Sequence, residues 1–166
     1  MGRSQQHVPA TRRGDRQPLQ TNWGQVEAFE PNLDIWVIST YPYFVFPSVS
    51  NIPADYYTPL LTRTDKPVAI AESGFSSQAV GFAQGSPEDQ VVYLNTIHTQ
   101  LGSRLAFWVN TLLDDFNLNS YTEQMKKDGR DPQDALSLGA FAYIGLRNSD
   151  GTPKPALEVW EEFRNR

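Results

Sequence analysis

Lys66-Pro67-Val68-Ala69-Ile70-Ala71-Glu72-Ser73-Gly74-Phe75 is the stretch on which the fold turns. Val68 to Ala71 is an unbroken run of small and β-branched apolar residues, without the alternation of a half-exposed strand. Such a run predicts a strand buried on both faces, as in a parallel sheet. Gly74 is expected to end it, because glycine permits a sharp turn that side chains resist. Glu72 then stands at the strand's C-terminal end, where parallel α/β folds collect their ligand sites. The competing reading is an ordinary acidic residue leaving a strand for solvent.

Two similar runs flank this one. Leu33 to Tyr41 (LDIWVISTY) lies upstream and Arg104 to Asn110 (RLAFWVN) downstream, both β-prone and nearly continuous. Between the first two, Pro53 can start a helix carrying Tyr56, Tyr57, Leu60 and Leu61, with Pro59 dividing it. Between the second pair, Ser86-Pro87-Glu88-Asp89 is a strong helix start, with a hydroxyl cap, an early proline and first-turn acids. Its face of Val91, Leu94, Ile97, His98 and Leu101 recurs at helical spacing and stops at Gly102. His98 reads as a packed or half-exposed helix residue rather than a catalytic one. Thr21 or Asn22 can cap a short helix with Trp23, Val26 and Phe29, stopped by Pro31. Pro155 begins a last helix with Leu157, Trp160 and Phe163 on one face. Residues 76–85 read as a loop and 114–135 as a long polar stretch. Leu136 to Leu146 is apolar and glycine-containing, and is expected to pack as part of a long loop. Helix and strand alternate, which implies right-handed βαβ crossovers and an α/β fold with helices outside a parallel sheet.

Composition narrows the function. The 166 residues are 39% hydrophobic and 12% aromatic, so one globular domain is expected over 21–166. Residues 1–20, polar and basic with four Arg and one Asp, are expected to form a disordered lead. The remainder holds ten basic and eighteen acidic residues, and an acidic body argues against nucleic acid as a partner. There is no cysteine and only His7 and His98, so neither a thiolate nor a histidine metal site is expected, and no cofactor. No segment approaches the roughly 18 apolar residues that span a bilayer, and no signal-peptide h-region is evident. As written, the chain is expected to be cytoplasmic.

The three strand ends bring together Tyr41 and Tyr43, Glu72, and Trp108 with Asn110. That set holds a carboxylate, hydroxyl donors and flat apolar rings. Sugars offer CH-rich faces for stacking and hydroxyls for hydrogen bonding, and a carboxylate below such a platform can attack an anomeric carbon. Tyr41 or Tyr43 can hydrogen-bond Glu72 and hold it ionised and aimed. The alternative is that the aromatics are sheet core. A Ser–His–Asp arrangement lacks both a credible histidine and a nucleophile elbow, and no phosphate-cradling glycine loop is present. Asp114-Asp115 could be a metal or acid–base pair, but adjacent acids after a strand are more often solvated loop residues.

With those residues in view, DKPVAIAESGFSS, preceded by LDIWVISTYPYF and followed by RLAFWVNTLLDD and GLRNSDGTPKPALEVWEEF, resembles the C-terminal half of a retaining clan A glycoside hydrolase. These are (β/α)8 TIM barrels of the cellulase and endo-β-galactanase type. The resemblance implies a partial barrel, strands six to eight with flanking helices, over roughly residues 22–165. It makes Glu72 the nucleophile ending strand seven, puts Tyr41 beside the sugar, and makes Trp108, on strand eight, the platform under it. The family's acid/base is a glutamate ending strand four, usually after an asparagine, and no Asn-Glu dipeptide occurs in this chain. Glu27 and Glu30 fall on the short first helix and substitute poorly. A retaining site needs two carboxyls about 5–5.5 Å apart. The expectation is therefore a truncated β-glycosidase, with little or no activity alone, that takes oligo- or polysaccharide when completed. Two open sheet edges point to a homodimer or a separate N-terminal half-barrel, and the full-length parent could be secreted. A non-catalytic carbohydrate-binding or assembly module, or a gene fragment without function, is the alternative.

Overall fold

The computed structural model describes residues 23–131 and 138–164. The expected disordered lead over 1–20 and the caps Thr21 and Asn22 lie outside the described residues. In chain order the elements are α1 (Trp23–Phe29), β1 (Trp36–Thr40), α2 (Thr58–Leu61), β2 (Val68–Ser73), β3 (Ala79–Val80), β4 (Ala83–Gln84), α3 (Pro87–Leu101), β5 (Leu105–Trp108), α4 (Leu118–Lys127) and α5 (Pro155–Arg164). The three longer strands form one sheet in the order β1-β2-β5, parallel throughout, with β2 in the centre. β3 and β4 make a short antiparallel ribbon in the stretch expected to be a loop, turned at Gly81, whose φ of +57° suits glycine.

Local chemistry explains the main helix. Ser86 accepts a hydrogen bond at its Oγ from the Asp89 backbone N–H, Pro87 stands in the first turn, and Glu88 and Asp89 face the positive end of the helix. Gly102 closes it. Tyr93, Leu94, Ile97 and Leu101 are buried, and with Trp36, Val68 and Ile70 of the sheet and Tyr57 and Leu60 they make one core. α5 packs along α3, and His98 stacks flat on Phe163 at 4.1 Å between ring centroids, so this histidine is packed as expected.

The sequence reading is corrected at three further points. The helix expected from Pro53 begins only at Thr58, and Pro59 falls in its first turn, where a missing N–H costs nothing. Residues 118–127, within the polar stretch, form a helix capped by Asn117, whose side chain accepts from the Ser120 N–H. Gly74 is not needed for a turn, since its φ is not positive. It is needed for close packing: a Cβ there would lie 2.9 Å from Ile144. Leu138–Leu146, the described part of the expected long loop, does pack inward, burying Ala142, Ile144 and Leu146. Among the described residues no helix is long and apolar enough to cross a membrane.

Two irregularities in the sheet decide which way its side chains point. Ile38 pairs with Ile70 but Ser39 with Glu72, so Ala71 is an extra residue in β2. Val68 pairs with Leu105 but Ala69 with Phe107, so Ala106 is an extra residue in β5. An added residue reverses the side-to-side alternation beyond it. Were Ala71 paired in regular register, Glu72 would share the face of Val68 and Ile70 and point into the core. With that shift, Glu72 joins Val37, Ser39 and Ala69 on the opposite face, where Val37, Phe107 and Val109 are exposed although Ala69 between them is covered.

Candidate active site

Glu72 occupies the open face near the C-terminal end of the central strand. Its Oε2 accepts a hydrogen bond from the Tyr41 hydroxyl at 3.2 Å. Tyr41 follows β1 directly, and the same hydroxyl lies 2.6 Å from Thr111 Oγ1, beyond the end of β5. One phenol therefore reaches from one edge strand to the other, passing over the central carboxylate. The backbone holds both ends of that span. The Thr111 N–H donates to the Ser73 carbonyl and the Val109 N–H to the Ile70 carbonyl, so the parallel pairing with β2 continues past the named end of β5.

The Tyr41 ring is held edge-on by three others: Phe141 at 5.2 Å, Phe44 at 6.0 Å and Tyr43 at 6.1 Å between centroids. Edge-to-face contact of this kind is favourable beyond the area it buries. Burial pushes the Tyr41 phenol above its ordinary value, opposed by the hydrogen bond with Thr111 and reinforced by the Glu72 charge. The phenol therefore stays protonated at neutral pH and able to donate to a carboxylate.

The structure distributes the five residues singled out from the sequence unevenly. It brings Glu72 and Tyr41 together. Tyr43 is instead buried in the core against Phe75 and Phe44, its phenol pushed up by burial, and its hydroxyl has no partner among the described residues. Asn110 serves the backbone, its Nδ2 donating to the carbonyls of Leu112 and Ile144. Trp108 is the larger correction. The extra residue at Ala106 turns it to the helix side, where its ring meets Trp160 at 4.7 Å and Phe163 at 6.0 Å, and its Nε1 donates to Ser73 Oγ. It lines a cleft of about 590 Å³ with His98, Phe107, Trp160 and Phe163, and Glu72 is not part of that lining.

Two contributors escaped the sequence reading, Thr111 and Phe141. Thr111 had a usable signal, being two and four residues beyond the exposed Val109 and Phe107 and so of the same strand parity. Phe141 had none, because nothing local says where a loop residue will fold back.

The remaining acids near the strand ends are occupied. Asp114 forms a two-point ion pair with Arg147, at 2.6 and 2.7 Å, which holds its carboxyl below the usual range. Asp115 is buried. Its Oδ1 accepts from Lys154 Nζ at 2.7 Å and from the Gly145 N–H at 2.9 Å, while burial pushes its carboxyl up and the Lys154 amine down. Among the described residues no group of acids and histidines could hold a metal ion.

No protein-family model matches the chain, and no curated protein matches it. Among solved structures it is similar to a glycoside hydrolase family 17 β-1,3-glucanosyltransferase from Rhizomucor miehei, with 21% sequence identity and a TM-score of 0.51. The match covers 78% of this chain and 44% of that one. At this identity the likeness concerns the fold: a mixed α/β chain with a parallel sheet, corresponding to less than half the length of a TIM-barrel glycoside hydrolase.

Proposed function

We propose that the chain is the nucleophile-bearing part of a retaining glycoside hydrolase or glycosyltransferring barrel, acting on β-linked glucan. One observation carries this reading. Glu72 is a carboxylate placed at the C-terminal end of a central parallel strand, turned to the open face by an extra residue, and given a protonated phenol as partner. The likeness in fold to the glucanosyltransferase supports it. In such a reaction Glu72 attacks the anomeric carbon, and the bond to the leaving oxygen breaks as a glycosyl ester forms. Water or a sugar hydroxyl then displaces the carboxylate. Protonating the leaving oxygen needs a second carboxyl about 5–5.5 Å away. Asp114 and Asp115 are held by Arg147 and Lys154, so we assign that acid to the barrel strands lying outside the described residues, on a separate half or on a longer parent chain. On this reading β1, β2 and β5 are barrel strands six to eight, and the exposed row of Val37, Phe107 and Val109 is barrel interior.

A 2-fluoro glycoside with a dinitrophenolate leaving group tests the nucleophile without its acid, because so good a leaving group needs no proton. Mass spectrometry should find the adduct on the Glu72 peptide, and Glu72→Gln should abolish it. Unlabelled protein, even with a complementing half supplied, overturns the assignment.

A carbohydrate-binding role without catalysis has one observation of its own, the exposed Phe44 ring beside Tyr41 and Phe141. It requires oligosaccharide binding that Phe44→Ala weakens and Glu72→Gln leaves intact. Calorimetry separates the two readings.

A further inference from the structure

The contact between Tyr41 and Thr111 is compatible with either oxygen as donor, whereas the bond from Tyr41 to Glu72 has only one direction, since an ionised carboxylate only accepts. A phenol has one proton. If that proton points at Glu72, the short 2.6 Å contact is held by the threonine proton pointing at the phenol oxygen. We propose that Thr111 is a positioning residue, which donates its hydroxyl proton to Tyr41 and thereby commits the Tyr41 proton to Glu72. The chain of donors runs Thr111 to Tyr41 to Glu72, across all three strands, with each member fed by a different strand end. Its direction is what keeps Oε2 of the carboxylate supplied with a donor. The inference deepens the proposed function and rests on it for its catalytic meaning, but the direction of the chain stands or falls alone.

The backbone gives Thr111 little freedom. Its N–H is bonded to the Ser73 carbonyl at 2.9 Å, and the neighbouring Asn110 side chain ties the turn to Leu112 and Ile144. The Thr111 backbone is thus tied down beside the phenol. A serine keeps the donor and a valine keeps the shape, so the two substitutions separate the proton from the packing.

Ionisation of Tyr41 in the full chain reads the direction of the bond. It can be followed by NMR of 13C-labelled tyrosine rings, with Tyr41→Phe identifying the resonance. A threonine that donates stabilises the phenolate, so Thr111→Val should move the Tyr41 midpoint upward while Thr111→Ser leaves it near wild type. A threonine that accepts stabilises the neutral phenol, so a downward move on Thr111→Val overturns the proposal. No move on Thr111→Val, or a move equally large in Thr111→Ser, overturns it too, since packing alone would then account for the contact. Glu72→Gln should lower the same midpoint by removing a negative charge from beside the phenol. None of these readouts involves sugar, so failure of the glycosidase reading shows separately, as an absent adduct on Glu72 in a chain whose Tyr41 titrates as expected.

Discussion

Lys154 and Glu72 are both charged groups near the sheet, and their surroundings are opposites. The Lys154 ammonium is almost wholly buried and donates to Asp115 Oδ1, Ser77 Oγ and the Gly145 carbonyl, with the Tyr143 carbonyl at 3.4 Å. It sews the loop after β2, the turn after β5, the 138–146 segment and the start of α5 into one piece. Glu72 is exposed on an open face and accepts from Tyr41. A buried charge so fully satisfied cannot react without dismantling its cage, and its worth lies in holding segments together. An exposed carboxylate bonded to one phenol adds little to stability and is available for chemistry. The contrast locates architecture at one cluster and reactivity at the other.

Breaking the buried cluster should produce the largest effect. Lys154→Met leaves the Asp115 carboxylate enclosed without its partner, a change that typically costs about 3–5 kcal/mol. Urea unfolding should show it, and adding Asp115→Asn should restore part of the loss by removing the orphaned charge. If Lys154→Met alone costs no more than a surface substitution, the cluster is not the staple described here.

Gly145→Ala attacks the same cluster through its packing. A Cβ there would stand 2.6 Å from the backbone at Asp114 and Asp115 and 2.8 Å from Asp115 Oδ1. Backbone cannot step aside as a side chain can, and forced insertions into close packing cost about 1–3 kcal/mol. The expected signature is a lower urea midpoint together with a shift in the Gly145 amide resonance or its neighbours. A neutral result would mean that the 138–146 segment is held less closely than the distances imply.

The half-buried pair Asp114–Arg147 should matter less, and only where its carboxylate is ionised. Its carboxyl is depressed in the folded chain by the guanidinium bonded to it, so the unfolded chain binds the proton more readily. The stability this contributes is present above the ordinary aspartate range and is lost as pH falls through the folded value. Asp150, depressed by its bonds from Thr152, acts in the same direction. Asp114→Asn should therefore lower the neutral plateau slightly and converge with wild type in acid, which flattens the acid limb of a stability–pH curve. Unfolding midpoints measured from neutral pH down to pH ~3 check it, and an unchanged acid limb would place the dependence elsewhere.

How far the sequence foretold these two regions follows from what each depends on. The unbroken run from Val68 to Ala71 announced a buried parallel strand, and Ser86-Pro87-Glu88-Asp89 announced the helix start, because both signals are local. α4 was hidden: its only buried residue is Met125, so no apolar period marks it. The sheet faces were hidden for a different reason. Whether Ala71 and Ala106 are extra residues is settled by pairing with other strands, and a shift of one position reverses every side chain beyond it. That is why Trp108, sound as an aromatic at a strand end, lies with the helices instead of beside Glu72. The buried pair was likewise illegible, since Asp115 and Lys154 are 39 residues apart and Asp115 resembles any loop acid.

Glu72→Gln should have the smallest effect on stability and the sharpest meaning. The amide keeps the size of the carboxylate and can still accept at its oxygen, so the Tyr41 bond survives in weaker, neutral form. Exposed substitutions away from special backbone or buried partners usually fall within about 0.5 kcal/mol of wild type. Urea unfolding of Glu72→Gln is expected to coincide with wild type to that margin, while labelling by the 2-fluoro glycoside disappears. A loss of several kcal/mol would instead place Glu72 with Lys154, as part of the architecture, and the strand-end carboxylate would then need no chemistry to explain it. The extra residue at Ala71 argues against that outcome. It turns Glu72 away from the packed core at the cost of regular pairing, which spares the carboxylate the cost of burial and leaves it accessible.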